Sequence, residues 1–182
     1  MNHTGRYTGT AIALHWLLAL AIVSVFGVGL YMVDLPMSPT KIKLINWHKW
    51  AGVTILALSV LRLVWRLTHR PPALPARIER AMPGWQKVAH HGTHALMYLL
   101  FLAVPLIGWA YSSAHGYPIV WFGVLHLPDF VPVDKALAEA IKPWHELSAF
   151  SLMGLVVLHV AAALKHQFID RDGLLQRMRP GH

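Results

Sequence analysis

Two histidines, His145 and His159, interrupt the apolar stretch WHELSAFSLMGLVVLHVAAAL (Trp144 to Leu164). At 3.6 residues per turn their spacing is nearly four whole turns, so both rings leave one helical face about 21 Å apart along the axis. Ionisable side chains inside so apolar a run are costly and normally mark a functional site. Imidazole is moreover a strong ligand for iron, zinc and copper. The chain has no cysteine, which excludes disulfides, thiolate zinc sites, cysteine-held iron-sulfur clusters and covalent CxxCH haem attachment. Histidine, at 13 copies, is the abundant strong metal ligand that remains.

The elements that must position these rings are membrane spans. Of the 182 residues 55% are hydrophobic and 13% charged, unusual for a soluble domain and ordinary for a small membrane bundle. We expect one all-α, integral-membrane domain over residues 1–182, a four-helix up-down bundle with spans at about 11–33, 47–67, 88–111 and 144–164. The first apolar run is too long for a signal-peptide core and reads as an uncleaved span. The connection from Thr68 to Gln86, rich in proline and arginine, reads as extended. The longest connection, Ser112 to Pro143, is expected to hold a short surface helix near Val133 to Ile141. The formal charge of +8 lies beside apolar spans, where it sets topology rather than binding nucleic acid. Eleven of the sixteen Lys and Arg residues fall in the head, the second connection and the tail, which predicts cytoplasmic N- and C-termini.

With four antiparallel spans, depth follows from position. His15, just inside the first span, is level with His159, near the end of the fourth; His48 and His145, each opening a span on the outer side, are level with one another. Two histidine pairs at two depths fit two b-type haems, each iron held by two neutral imidazoles. Gly29 lies on the face of His15 at the outer depth and Gly52 one turn beyond His48, and both leave room for a macrocycle. Arg62 lies on the inward stripe of His48 at the inner depth, where a haem propionate would supply the anion a buried arginine needs.

Each feature also has a plainer reading. A lone histidine near a helix end commonly snorkels or binds a carbonyl; the shared levels of the four favour ligation. His94 also lies just inside the cytoplasmic end and, by depth, competes with His15 for His159. The remaining histidines read as interfacial or solvated, the eight tryptophans chiefly as interface anchors, and Gly27, Gly29 and Gly154 as sites of close helix packing.

The segments RYTGTAIALHW, INWHKWAGVTILALSVLRLVWR, PLIGWAY, WHELSAF and VVLHVAAALKHQFIDRDGLLQRM together resemble the bacterial di-haem cytochrome b561 family over nearly the whole chain. The resemblance implies that His15 and His159 ligate one haem b and His48 and His145 the other, favouring His15 over His94. It implies a multi-pass protein of the bacterial inner membrane, among lipid, that passes electrons between a periplasmic donor and ubiquinone. In one branch of the family the donor is superoxide. The outer lysines, Lys41, Lys43, Lys49, Lys135 and Lys142, could steer an anion toward the outer haem, although lysines in loops are more often simply solvated. Two other classes fit the same histidines: a cytochrome b anchor that relays electrons for a partner dehydrogenase or hydrogenase, docking through the Ser112 to Pro143 loop, and a haem-free metal or proton transporter.

Overall fold

A computed structural model describes residues 5–81 and 83–181. Four long helices make the body: α1 (Gly9–Val33), α2 (Pro39–Thr68), α4 (Gly84–Ala114) and α5 (Lys135–Lys165), with the short α3 (Ala76–Ala81) between α2 and α4. All four are long and apolar enough to cross a membrane. In such a solvent the backbone satisfies its own polar groups by forming helices, which is why apolar runs of this length fold this way.

Their starts follow local chemistry. The Thr8 hydroxyl caps α1 by accepting from the Ala11 amide at 3.3 Å, and the same oxygen accepts from the Trp65 indole at 3.1 Å. One side chain thus begins α1 and holds it to the end of α2. Ser38 caps α2, with Pro39 in its first turn, where the missing N–H costs nothing. Asp134 caps α5 by accepting from the Ala136 and Leu137 amides at 2.8 and 3.1 Å.

Two connections differ from expectation. The segment read as extended contains α3, started where the Ile78 and Glu79 amides donate to the Pro75 carbonyl. The expected surface helix is continuous with the fourth span: α5 runs straight through Pro143. A proline there forfeits one backbone hydrogen bond and bends the helix without ending it.

The bundle is antiparallel around its circumference. His15 meets His159 and Phe26 meets Phe150, so α1 and α5 run oppositely. Gly29 lies against His48 and Arg62 against His15, which does the same for α1 and α2. Lys49 reaches Ser112, and Gly108 lies against His145. Both ends of the described chain gather at one end of the bundle, where Arg6 donates to the Arg179 carbonyl and Arg177 to the Pro72 and Ala73 carbonyls. We call this the inner end and the opposite one the outer end.

Midway between the ends the four helices close on an apolar cluster of Leu18, Ile22, Ile55, Met97, Phe101 and Leu152. At the outer end residues 115–134 fold back as a small hairpin, with β1 (Val120–Trp121) antiparallel to β2 (Leu125–His126). Its turn carries Phe122 and Gly123 at φ of +50° and +74°, a conformation glycine adopts freely and phenylalanine adopts only when the surroundings hold it there.

Leu18 is fully buried in the central cluster, whereas Leu20 on the same helix is 69% exposed on the lipid side. Leu18→Ala is therefore expected to destabilise the protein by about 2 to 5 kcal/mol. Thermal unfolding in detergent should register this as a clear drop in midpoint, with Leu20→Ala close to the parent.

Candidate haem-binding site

At the outer end, α2 presents His48 and α5 presents His145, their ring centroids 6.2 Å apart and their planes at 84°. The His145 Nδ1 donates to the Val104 carbonyl on α4 at 3.2 Å. The His48 ring lies near the Val25 backbone on α1 and packs against Gly29, its Nδ1 buried without a hydrogen-bond partner. With its Nδ1 engaged on the Val104 carbonyl, the His145 ring keeps Nε2 for a ligand. That is the arrangement commonly seen behind metal-bound histidines, in which the second nitrogen faces a carbonyl that fixes the tautomer.

At the inner end His15 of α1 and His159 of α5 stand 6.1 Å apart at 70°. His94 of α4 is also close to His159, at 5.4 Å, and its Nδ1 donates to the His90 carbonyl of its own helix at 2.7 Å. Three imidazoles thus share the inner level. Arg62 Nη2 donates to His15 Nδ1 at 3.0 Å. Arg62 and Arg66 both lie over the Tyr98 ring, at 5.7 and 5.6 Å. A cavity of about 190 Å³ opens beside them toward the inner end, lined by Arg62, Arg66, Tyr98 and Trp65 among others and by no carboxylate. Guanidinium groups gathered without an acid favour an anionic guest.

Two imidazoles bound linearly to one metal, with nitrogen-to-metal bonds of about 2 Å, set their ring centres about 6.3 Å apart. The His15–His159 and His48–His145 separations match that spacing, and the His94–His159 separation is shorter. The donor set is neutral nitrogen with no thiolate, suited to haem iron. The carboxylate-free cavity lined by Arg62, which bonds His15, and by Arg66 suits a porphyrin's propionates. The residues therefore fit haem b at both ends.

The comparisons with known proteins agree with this chemistry. Residues 6–181 match the family described as prokaryotic cytochrome b561. The chain belongs to that family. It is 34% identical over 179 residues to cytochrome b561 homolog 2 of Escherichia coli (strain K12), covering 97% of this chain and 93% of that one. It is 31% identical over 177 residues to the probable superoxide oxidase CybB of Yersinia pestis, covering 96% of each. A cytochrome b562 of Cereibacter sphaeroides is 29% identical over 184 residues, covering 98% of each. Membership makes this a haem b-binding electron-transfer protein, and with its four spanning helices a multi-pass protein of the bacterial inner membrane.

Within this cytochrome several side chains play parts that sequence reasoning did not assign. Gly108 is one: a Cβ built there would lie 2.8 Å from the His145 ring. Gly29 was read as room for a macrocycle, but the space it leaves is taken by the His48 imidazole, 3.2 Å from an added Cβ. Gly27 and Gly154, read as close-packing sites, have nothing within 4 Å of an added Cβ. Trp16, Trp50 and Trp121 are more than interface anchors, since their indoles donate to the Met178 carbonyl, the Val120 carbonyl and the Thr54 hydroxyl. His166 closes α5 by pairing with Asp172 at 2.6 Å and Asp170 at 3.2 Å, while Lys165 also holds Asp170.

Two of the outer lysines are likewise structural. Lys41 donates to the Val33 and Leu35 carbonyls at 3.2 and 2.6 Å. Lys49, next to His48 in sequence, donates to the Ser112 hydroxyl and to the Tyr117 and Pro118 carbonyls at 3.2 to 3.3 Å. It pins the outer hairpin to α2. Lys49→Met keeps the aliphatic stem and removes all three hydrogen bonds, at a cost of about 1 to 3 kcal/mol for the acceptors left behind. Hydrogen exchange should show faster turnover of amides across residues 117–121, with protection in the middle of α1 and α4 unchanged.

Proposed function

We propose that this chain holds two haems b and carries electrons across the membrane from an outer donor, superoxide, to ubiquinone. The observation that carries the reading is the pair of level imidazole couples, at 6.1 and 6.2 Å, at opposite ends of one bundle. His48 and His145 would hold the haem at the outer position, His15 and His159 the one at the inner position. His94 stands beside the inner position as a neighbour. The Lys and Arg distribution supports an inner end that faces the cytoplasm.

Bound haem supplies the one-electron chemistry, and the protein supplies spacing, potential and access. With two imidazoles each, the His48 and His145 couple and the His15 and His159 couple would hold haem iron and leave it no position for a substrate, so bound haem would supply electron transfer without substrate ligation. When His15 uses Nε2 as a ligand its Nδ1 carries the ring proton. Arg62 could then no longer donate to it, and with Arg66, which lines the same cavity, it would be free to hold a propionate by charge-assisted hydrogen bonds. Each superoxide ion gives up one electron and leaves as dioxygen; two such electrons with two protons convert one ubiquinone to ubiquinol. The likeness to the probable superoxide oxidase of Yersinia pestis supports the choice of donor.

A second reading, an anchor that relays electrons for a bound dehydrogenase or hydrogenase, draws on the hairpin tip, where Val124 is 88% exposed beside Phe122 and Leu125. Mild solubilisation separates the two. Co-purification of a large redox partner favours the anchor, and a lone cytochrome that reduces ubiquinone favours the oxidase.

The purified protein is expected to show two haems b per chain by pyridine haemochrome and protein assay; a ratio of one would overturn the paired scheme. His15→Ala and His145→Ala should each lose one haem and keep the other, while His94→Ala keeps both. In liposomes containing ubiquinone, superoxide generated outside should yield ubiquinol, seen by its ultraviolet absorbance. Haems that reduce with dithionite but not with superoxide would remove superoxide as donor.

A further inference from the structure

The two outer histidines share a device that the inner two lack. His145 leaves α5 and sets its Nδ1 on the Val104 carbonyl of α4; His48 leaves α2 and lays its ring beside the Val25 backbone of α1, short of a closed hydrogen bond from Nδ1. In both cases the residue one turn beyond that carbonyl is glycine: Gly108 follows Val104 by four positions, and Gly29 follows Val25 by four. A Cβ on Gly108 would lie 2.8 Å from His145 Cε1 and 3.2 Å from its Nδ1, and a Cβ on Gly29 would lie 3.2 Å from His48 Cε1. Among the described helical glycines these two alone have any neighbour within 4 Å of an added Cβ.

The coincidence has a geometric cause. Helical side chains lean toward the N-terminus, so each covers the surface of the turn before its own Cα. The side chain at position i+4 therefore roofs the carbonyl of residue i. That carbonyl already accepts the helical N–H but keeps a second lone pair directed outward. A glycine at i+4 takes the roof away, and a ring from a neighbouring helix can reach the oxygen.

We infer that Gly29 and Gly108 are positioning residues for the outer haem, each admitting one axial imidazole onto a backbone carbonyl of the adjacent helix. This rests on the reading that His48 and His145 hold iron. The carbonyl fixes the ring proton on Nδ1, aims Nε2 into the bundle and makes the imidazole a more basic ligand. A more basic ligand favours ferric iron and lowers the reduction potential. At the inner position the His15 Nδ1 pairs with the Arg62 side chain rather than with a backbone carbonyl, so the carbonyl device belongs to the outer position.

The test is potentiometric titration with EPR of the low-spin ferric haems, using the full-length protein in detergent. The outer haem is identified as the one missing from His145→Ala. Gly108→Ala should keep two haems, raise the outer potential by about 59 mV, a tenfold change for one electron, and move the outer EPR signal, which reads the angle between the ligand planes. Gly29→Ala, with the milder clash, should shift the same haem in the same direction by less. Gly27→Ala and Gly154→Ala, whose added methyls meet nothing, should leave both haems where they are. The inference is overturned if Gly29→Ala and Gly108→Ala match those controls or move the inner haem instead. Should Gly108→Ala fail to load haem, Gly29→Ala decides: an unmoved outer haem there overturns the inference. A parent protein without two haems would instead sink the reading on which it rests.

Discussion

Everything in this molecule depends on the register of four antiparallel helices. An imidazole within a bilayer is tolerable when another group answers it, and here the answer comes from a different helix at the same depth. The register is held from the middle, where Leu18, Ile22, Ile55, Met97, Phe101 and Leu152 interlock. Lipid tails supply little hydrophobic drive between helices, so shape and hydrogen bonds decide the fit. Ties at the ends complete it: Thr8 joins α1 to α2 through Trp65 at one end, and Lys49 joins α2 to the outer hairpin at the other. A slip of one residue in any helix would turn its histidine by about 100° and take it out of its couple.

Much of this was legible in the sequence because membrane spans reduce three dimensions to nearly one. Once the apolar runs are counted, depth is arithmetic, and depth brings out His15, His48, His145, His159 and Arg62. What depth cannot supply is the order of helices around the bundle. His94 and His15 are equivalent by depth, and the structure brings both to His159. Gly108 escaped notice for the same reason, since its partner His145 lies on a neighbouring helix. A search for glycines four residues after a level carbonyl would have found it once α4 was known to flank α5. Lys49 looked like a solvated loop charge because the loop that its ammonium holds adopts a fold no local pattern announces. The continuation of α5 through Pro143 was hidden by the usual reading of proline as a boundary.

The two ends differ in kind although their ring spacings nearly coincide. The outer rings pack against Gly29 and Gly108, and His145 donates to a neutral carbonyl. The inner ring of His15 faces a guanidinium, beside a cavity that collects further arginines and no acid. A single helix, α5, carries one member of each couple on one face. The chain thus builds two chemically distinct surroundings from one repeated geometry by changing what stands behind the imidazole rather than the imidazole itself.

The apolar cluster between the two ends has an electrical meaning as well as a mechanical one. It is an apolar layer between the two histidine levels, and the membrane voltage drops where polarisable charge is scarce. A negative charge that travels from one histidine couple to the other crosses much of that drop, worth about 2.3 kcal/mol for each 100 mV. On the proposed transfer between the couples, each turnover would therefore answer to the energised state of the cell.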